Sequence, residues 1–196
     1  MSAESSSTPE RLRLIAGLGN PGERYRLTRH NVGFRVLEAL TEGARLVESV
    51  LECNAVVRQR GDLMLAAPQT FMNRSGFAVR CLVEKHDLSV TSVLVVYDDV
   101  ALPLGILRLR REGSPGGHRG MESIIRNLRT DQVARLRLGV GPMSGVPPQE
   151  DLSDFVLANF TREEEKDVEE MIQRAAAACQ CWFEQDIETA MNRFNG

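Results

Sequence analysis

Ser92-Val93-Leu94-Val95-Val96-Tyr97, followed at once by Asp98-Asp99, is the stretch whose reading decides the fold. Its uninterrupted β-branched and apolar run predicts a strand buried on both faces, as in a sheet covered by helices on either side. Carboxylates closing such a strand suggest a site, because open α/β sheets place their ligands at the carboxyl ends of the strands.

Upstream, Arg11 to Ala16 alternates and then turns apolar before Gly17-Leu18-Gly19-Asn20-Pro21-Gly22, which reads as a second buried strand ending in a tight loop. A helix is predicted from Asn31 to about Ala44, with Phe34, Leu37, Leu40 and Ala44 at helical spacing. Short strands over Asn54–Arg58 and Leu63–Ala67 flank a turn, and another amphipathic helix follows Asn73. Downstream, Ile106–Arg110 reads as a strand with inward Ile/Leu and outward Arg. A glycine-rich loop (Gly113 to Gly120), a helix around Met121–Leu128 and a strand over Ala134–Val140 come next. Gly141 to Gln149, with three prolines, reads as either a mobile lid or a linker. Thr161-Arg162-Glu163-Glu164 is a capping box opening a long helix whose apolar stripe is Val168, Met171, Ile172, Ala175 and Cys179. Strands alternating with helices predict an α/β fold: a single three-layer domain over residues 11–196 with a twisted mixed sheet flanked by helices.

The chain has 196 residues, 42% hydrophobic and 26% charged, and no apolar run long enough to span a membrane. Met1 to Glu10 lacks the basic and apolar regions of a signal peptide and reads as a disordered tail. The net charge of −3 hides a division: residues 1–105 are neutral, 106–137 carry +5 and 138–196 carry −8. A local anion-binding face with an acidic, solvated end fits that pattern. Of the 24 basic residues 22 are arginine, which suits planar phosphate recognition and equally reflects base composition. Cys53, Cys81, Cys179 and Cys181 form no C-x-x-C pair and have no histidines at metal spacing, so reduced, mostly buried thiols, no metal and a cytoplasmic or organellar location are expected.

Gly17 to Gly22 satisfies G-x-G-x-x-G after a strand, but Asn20-Pro21-Gly22 is turn chemistry and Glu23-Arg24-Tyr25-Arg26 shows no apolar stripe, so a dinucleotide-binding helix is not expected. What the loop offers is an asparagine at a strand's carboxyl end. His30, ten residues on, and His118 each sit in a polar loop beside a helix start, whereas His86 reads as an ordinary histidine. A partly buried Asp98 needs a partner to offset its desolvation. His30 is a candidate, since a carboxylate on one imidazole nitrogen raises the basicity of the other, which then deprotonates water without a metal. A plain turn-capping role for Asp98 is the other reading.

At these residues the sequence resembles the bacterial-type peptidyl-tRNA hydrolases. GLGNPG, Tyr25 and TRHN, then FMNRSG at Phe71–Gly76, Asp98 with LP-x-G at Leu102–Gly105, GGH-x-G at Gly116–Gly120 and RLRLGVG at Arg135–Gly141 occur in that family's order, over nearly the whole chain from about Leu14. The resemblance implies hydrolysis of the ester joining a peptide to the 3′-terminal ribose of tRNA, by a cytoplasmic monomer without cofactor. It implies His30 as base, Asp98 as its orienting partner, and Asn20 and Asn73 hydrogen bonding around the ester. Tyr25 and Met72 would be pocket walls, with core filling the other reading of Met72. His118 and Arg119 would meet the substrate, and Arg108, Arg110 and Arg137 the tRNA phosphates. The loop from Gly141 would correspond to a lid. One departure stands out: the family usually has asparagine where this chain has Arg119, and an arginine offers donors but no acceptor. Contact with the tRNA terminus, contact with peptide carbonyls and impaired catalysis are all open there. A non-catalytic RNA-binding or adaptor homologue is the alternative function.

Overall fold

The computed structural model describes residues 12–42, 48–144 and 151–195. The N-terminal decamer, Ala44 and residues 145–149 of the proline-rich loop lie outside them. Among the described residues the strands are β1 (Arg13–Gly17), β2 (Val50–Glu52), β3 (Ala55–Arg60), β4 (Leu63–Pro68), β5 (Val93–Pro103), β6 (Leu107–Arg110) and β7 (Ala134–Gly141). The helices are α1 (Val32–Thr41), α2 (Ser75–Lys85), α3 (Arg119–Leu128), α4 (Leu152–Leu157), α5 (Glu165–Glu184) and α6 (Ile187–Phe194).

The strands form one mixed sheet in the order β2-β3-β4-β1-β5-β7-β6. β4, β1, β5 and β7 run parallel at its centre, and antiparallel pairings add β3 and β2 at one edge and β6 at the other. Every side chain of Val93 to Tyr97 is buried, as the continuous apolar run requires. Leu94 and Val96 face the core shared with α1, α5 and α6; Val93, Val95 and Tyr97 face the one shared with α2 and α3. The result is the expected α/β domain, helices on both faces of a seven-stranded mixed sheet.

Close packing carries α1 to the site. A Cβ on Gly33 would lie 2.5 Å from the carbonyl oxygens of both Leu18 and Val96, so only glycine lets α1 rest on the ends of β1 and β5. The residues before it, Arg29–Asn31, form a 3-10 turn at the mouth of the sheet. The buried stripe of α1 is Val32, Gly33, Val36 and Leu37, rotated from the expected one, and Phe34 lies half-buried. On α5 the predicted stripe is buried throughout, and the capping box closes as read: the Glu164 carboxylate accepts from Thr161 N–H at 2.8 Å and the Thr161 hydroxyl from Glu164 N–H at 3.4 Å.

The expectation of four reduced thiols is corrected for two of them. Cys53, in the left-handed turn between β2 and β3, is disulfide-bonded to Cys81 on α2, with a Cα–Cα distance of 5.6 Å. The pair is 28 residues apart, so nothing in local spacing announced it. Cys179 and Cys181 are free and buried, and burial pushes the Cys179 thiol well above its usual range.

Candidate active site

β5 delivers Asp98 to the carboxyl end of the sheet, where it is 2% exposed. Two histidines converge on it. Nδ1 of His30, in the turn before α1, lies 2.8 Å from Oδ1 and 2.9 Å from Oδ2; Nε2 of His118, the N-cap of α3, lies 3.0 Å from Oδ1. Burial alone would raise the Asp98 carboxyl, but the imidazoles and their hydrogen bonds outweigh it and hold the carboxyl well below the usual carboxylate range. An ionised carboxylate only accepts, so each facing ring nitrogen carries a proton. In the neutral His30 ring Nε2 is therefore left with its lone pair, and His30 lines the adjacent cavity.

His118 is fixed from both sides. Its Nδ1 accepts from the Met121 N–H at 3.1 Å, satisfying an orphan amide of α3, so its single proton belongs on Nε2, facing Asp98. Its ring stacks at a tilt on Tyr97, centroids 4.7 Å apart. Gly120 keeps this helix start close: a Cβ there would come within 2.9 Å of His118 Cε1 and Leu18 Cδ1. The three side chains offer ligand atoms within 4.8 Å of one another, a set that resembles a two-histidine, one-carboxylate metal site. The Met121 amide argues otherwise, because a metal on Nε2 would push the His118 proton onto Nδ1, against another N–H. As built, the group shares protons.

Asn20 and Asn73 enter from two other loops. Asn20 is buried and its Oδ1 accepts from Met72 N–H at 2.8 Å, which turns its amide nitrogen into the group available to the cavity it lines. Asn31 pins that loop to the His30 turn: its Oδ1 accepts from Asn20 N–H and its Nδ2 donates to Asn20 O, both at 2.9 Å. Asn73 is exposed on the cavity wall beside Met72, which is buried. The cavity holds about 630 Å³ and is also lined by Phe71, Gly116, Gly117, Arg119 and, from α4, Leu152, Val156 and Leu157. Tyr25 is not among its lining residues; the Tyr25 hydroxyl accepts from Arg24 at 2.6 Å.

The arginines divide by partner. Arg108, Arg110, Arg135 and Arg137 share one face, since β6 and β7 pair Arg108 with Arg137 and Arg110 with Arg135. Arg137 is half-buried in an ion pair with Asp99. Arg135, overlooked as a separate residue by the sequence reading, is 1% exposed and donates to the carbonyls of Val133, Gly113, Ser114 and Asp131, which props the glycine-rich loop. Arg108, Arg110 and Arg119 have no carboxylate partner among the described residues. Arg29 was also overlooked. It is 5% exposed, lies between the rings of Phe155 and Phe160 at 4.6 Å from each, and pairs with Glu164 at 2.8 and 3.1 Å, tying the turn that holds His30 to α4 and the start of α5.

A histidine oriented by a carboxylate beside a cavity of this size, with side-chain amides around it, is the arrangement a general-base hydrolase uses. Comparison with known proteins narrows the class. Residues 14–196 match the family model described as peptidyl-tRNA hydrolase. The peptidyl-tRNA hydrolase of Methylacidiphilum infernorum is 43% identical over 183 residues, covering 93% of this chain and 97% of its own. That of Aquifex aeolicus is 43% identical over 188 residues, covering 94% and 96%. The crystal structure of peptidyl-tRNA hydrolase from Acinetobacter baumannii superposes with a TM-score of 0.86 at 28% identity, covering 94% of this chain and 95% of the other. The chain belongs to the peptidyl-tRNA hydrolase family.

Proposed function

We propose that this chain, a peptidyl-tRNA hydrolase by family, cleaves the ester between the peptide and the 3′-terminal ribose of peptidyl-tRNA with a water activated by His30. The observation that carries the reading is Asp98 held between His30 and His118 at the cavity, which fixes the His30 tautomer with Nε2 as base. Nε2 takes a proton from water, the resulting hydroxide adds to the ester carbonyl, and the adduct collapses as the ribose oxygen leaves with the proton returned from the imidazolium. Asn73 and the amide nitrogen of Asn20 donate to the ester carbonyl as negative charge develops there, the type of contact worth about 3–4 kcal/mol of barrier in other acyl transfers. Met72 supports that wall through its backbone bond to Asn20, His118 anchors Asp98, and Phe71 with α4 contacts the peptide. The enzyme acts as a cytoplasmic monomer.

Turnover of an N-acetylaminoacyl-tRNA, followed with and without chelator, tests this. Multiple turnovers insensitive to chelator are expected; tight binding without release would favour the RNA-binding adaptor instead, and loss with chelator would revive a metal mechanism.

Arg108 and Arg110, on the arginine face and free of carboxylate partners among the described residues, meet tRNA phosphates in this reading, with Arg137 next to them held by Asp99. Such contacts supply affinity without base specificity, as suits an enzyme serving many tRNAs. Reversal of both to glutamate should weaken tRNA binding and reduce its salt-dependence slope by about one per arginine. An unchanged slope, read from filter binding across a salt series, would place the tRNA elsewhere.

A further inference from the structure

We infer that Arg119 grips the phosphodiester on the 5′ side of the terminal ribose, and so sets the terminal nucleotide in register with His30. The inference rests on the hydrolase reading above. Arg119 lines the same cavity as His30, Asp98 and Asn73. Its backbone is not free to drift, because the preceding His118 is tied at Nε2 to Asp98 and at Nδ1 to the Met121 amide.

Among the described residues, nothing answers the charge of Arg119. Of the four arginines lining the cavity, Arg135 is taken up by four backbone carbonyls and Arg137 by Asp99. Arg119 is exposed and has no hydrogen bond or ion pair among the described residues. Glu112 and Asp151 line the cavity as well, but neither comes within ion-pair distance of it. It is also the first residue of α3, where the helix dipole disfavours a cation. An unpaired cation facing a positive helix end is unfavourable in the free protein and is relieved when an anion binds there.

The chemistry of the substrate says which anion. The scissile ester, the terminal ribose and the peptide bonds are neutral, and the nearest formal charge is the phosphodiester joining that ribose to the nucleotide before it. It lies one sugar away from the ester, and Arg119 lines the same cavity as His30. A guanidinium meets two phosphate oxygens with parallel N–H groups, a geometry that orients as well as attracts. A peptide carbonyl would need only a neutral donor and gives no reason for a charge.

The test uses an acceptor-stem minihelix ending in CCA, with the phosphodiester before the terminal adenosine either native or replaced by a neutral methylphosphonate. For binding, the peptidyl ester is replaced by an amide so that the ligand survives; for turnover it is the ester. Arg119→Ala should raise Kd and KM on the native minihelix roughly tenfold with a smaller change in kcat, and Arg119→Lys should recover part of the loss. On the methylphosphonate the alanine penalty should shrink several-fold, because the charge it answers is gone. Equal penalties on the two minihelices, or a penalty in kcat alone, would overturn the assignment. Kd reports on Arg119 even if wild type fails to turn over the native ester, an outcome that would instead sink the hydrolase reading.

Discussion

Replacing His30 with alanine is expected to lower kcat for peptidyl-tRNA by about 10²–10⁴-fold, the usual contribution of a positioned general base. The change removes the imidazole that lines the cavity with only its Nδ1 engaged, on Asp98. His118 cannot substitute, because both of its nitrogens are engaged, one on Asp98 and one on the Met121 amide. The fold should survive: Gly33 and Val36 seat α1 on the sheet, and Asp98 keeps the His118 N–H as a donor. KM should change little, since the substrate contacts proposed for Asn20, Asn73 and Arg119 are untouched. Near wild-type turnover by purified, folded H30A would remove His30 from the mechanism and with it the proposed function.

The His30–Asp98 pair was legible because each residue borders a strong local signal, His30 just before α1 and Asp98 at the end of the apolar run of β5, although the strand itself continues to Pro103. Val93 to Tyr97 can only be a buried strand, and a carboxylate at its end must be answered by something. The second answer, His118, was readable as a residue near the site but not as a ligand of Asp98. Its engagement depends on α3 docking through Gly120, a contact between loops that no local pattern encodes. The same holds for Arg29, whose partner Glu164 is 135 residues away, and for Asn31, whose reciprocal bonds to Asn20 look in sequence like any polar pair.

β2, α4 and α6 went unread for a different reason. β2 is three residues at the sheet edge with Val50 and Leu51 exposed, and α4 is six residues with one buried side chain, so neither builds a periodic pattern. α6 is separated from α5 by a break at Gln185-Asp186, where Asp186 caps the new helix through the Thr189 N–H; apolar spacing alone runs the two together. The whole-chain charge of −3 conceals where the charges lie. Seven of the twelve acidic residues of the 138–196 segment lie on α5 or just before it, while the open cations Arg108, Arg110 and Arg119 lie on the arginine face and in the cavity.

Asp98→Asn isolates the orienting role, because asparagine matches aspartate in shape but presents one acceptor and one donor. His118 must keep its proton on Nε2 so long as its Nδ1 caps α3, so it claims the asparagine oxygen. The amide nitrogen then takes the Oδ2 position, 2.9 Å from His30 Nδ1, where two N–H groups oppose each other unless Nδ1 gives its proton to Nε2 and accepts, which leaves Oδ1 to His118. The base is lost by a tautomer change with every heavy atom in place, as happens when the aspartate of a serine-protease triad becomes asparagine, a loss of about 10⁴ in kcat. We expect a fall in kcat of roughly 10²–10⁴-fold with KM and tRNA affinity nearly constant, and an imidazole ¹⁵N spectrum in which His30 carries its proton on Nε2. Stability should follow pH with a definite sign. The folded Asp98 carboxyl is lowered, so its contribution is fully present above the unfolded value of about 4 and is lost as pH falls through the folded one. The variant should therefore melt below wild type at neutral pH, with the gap closing as the solution is taken into the acid range. A variant that weakened only tRNA binding, with kcat and the His30 tautomer unchanged, would show that Asp98 holds the loop rather than the base.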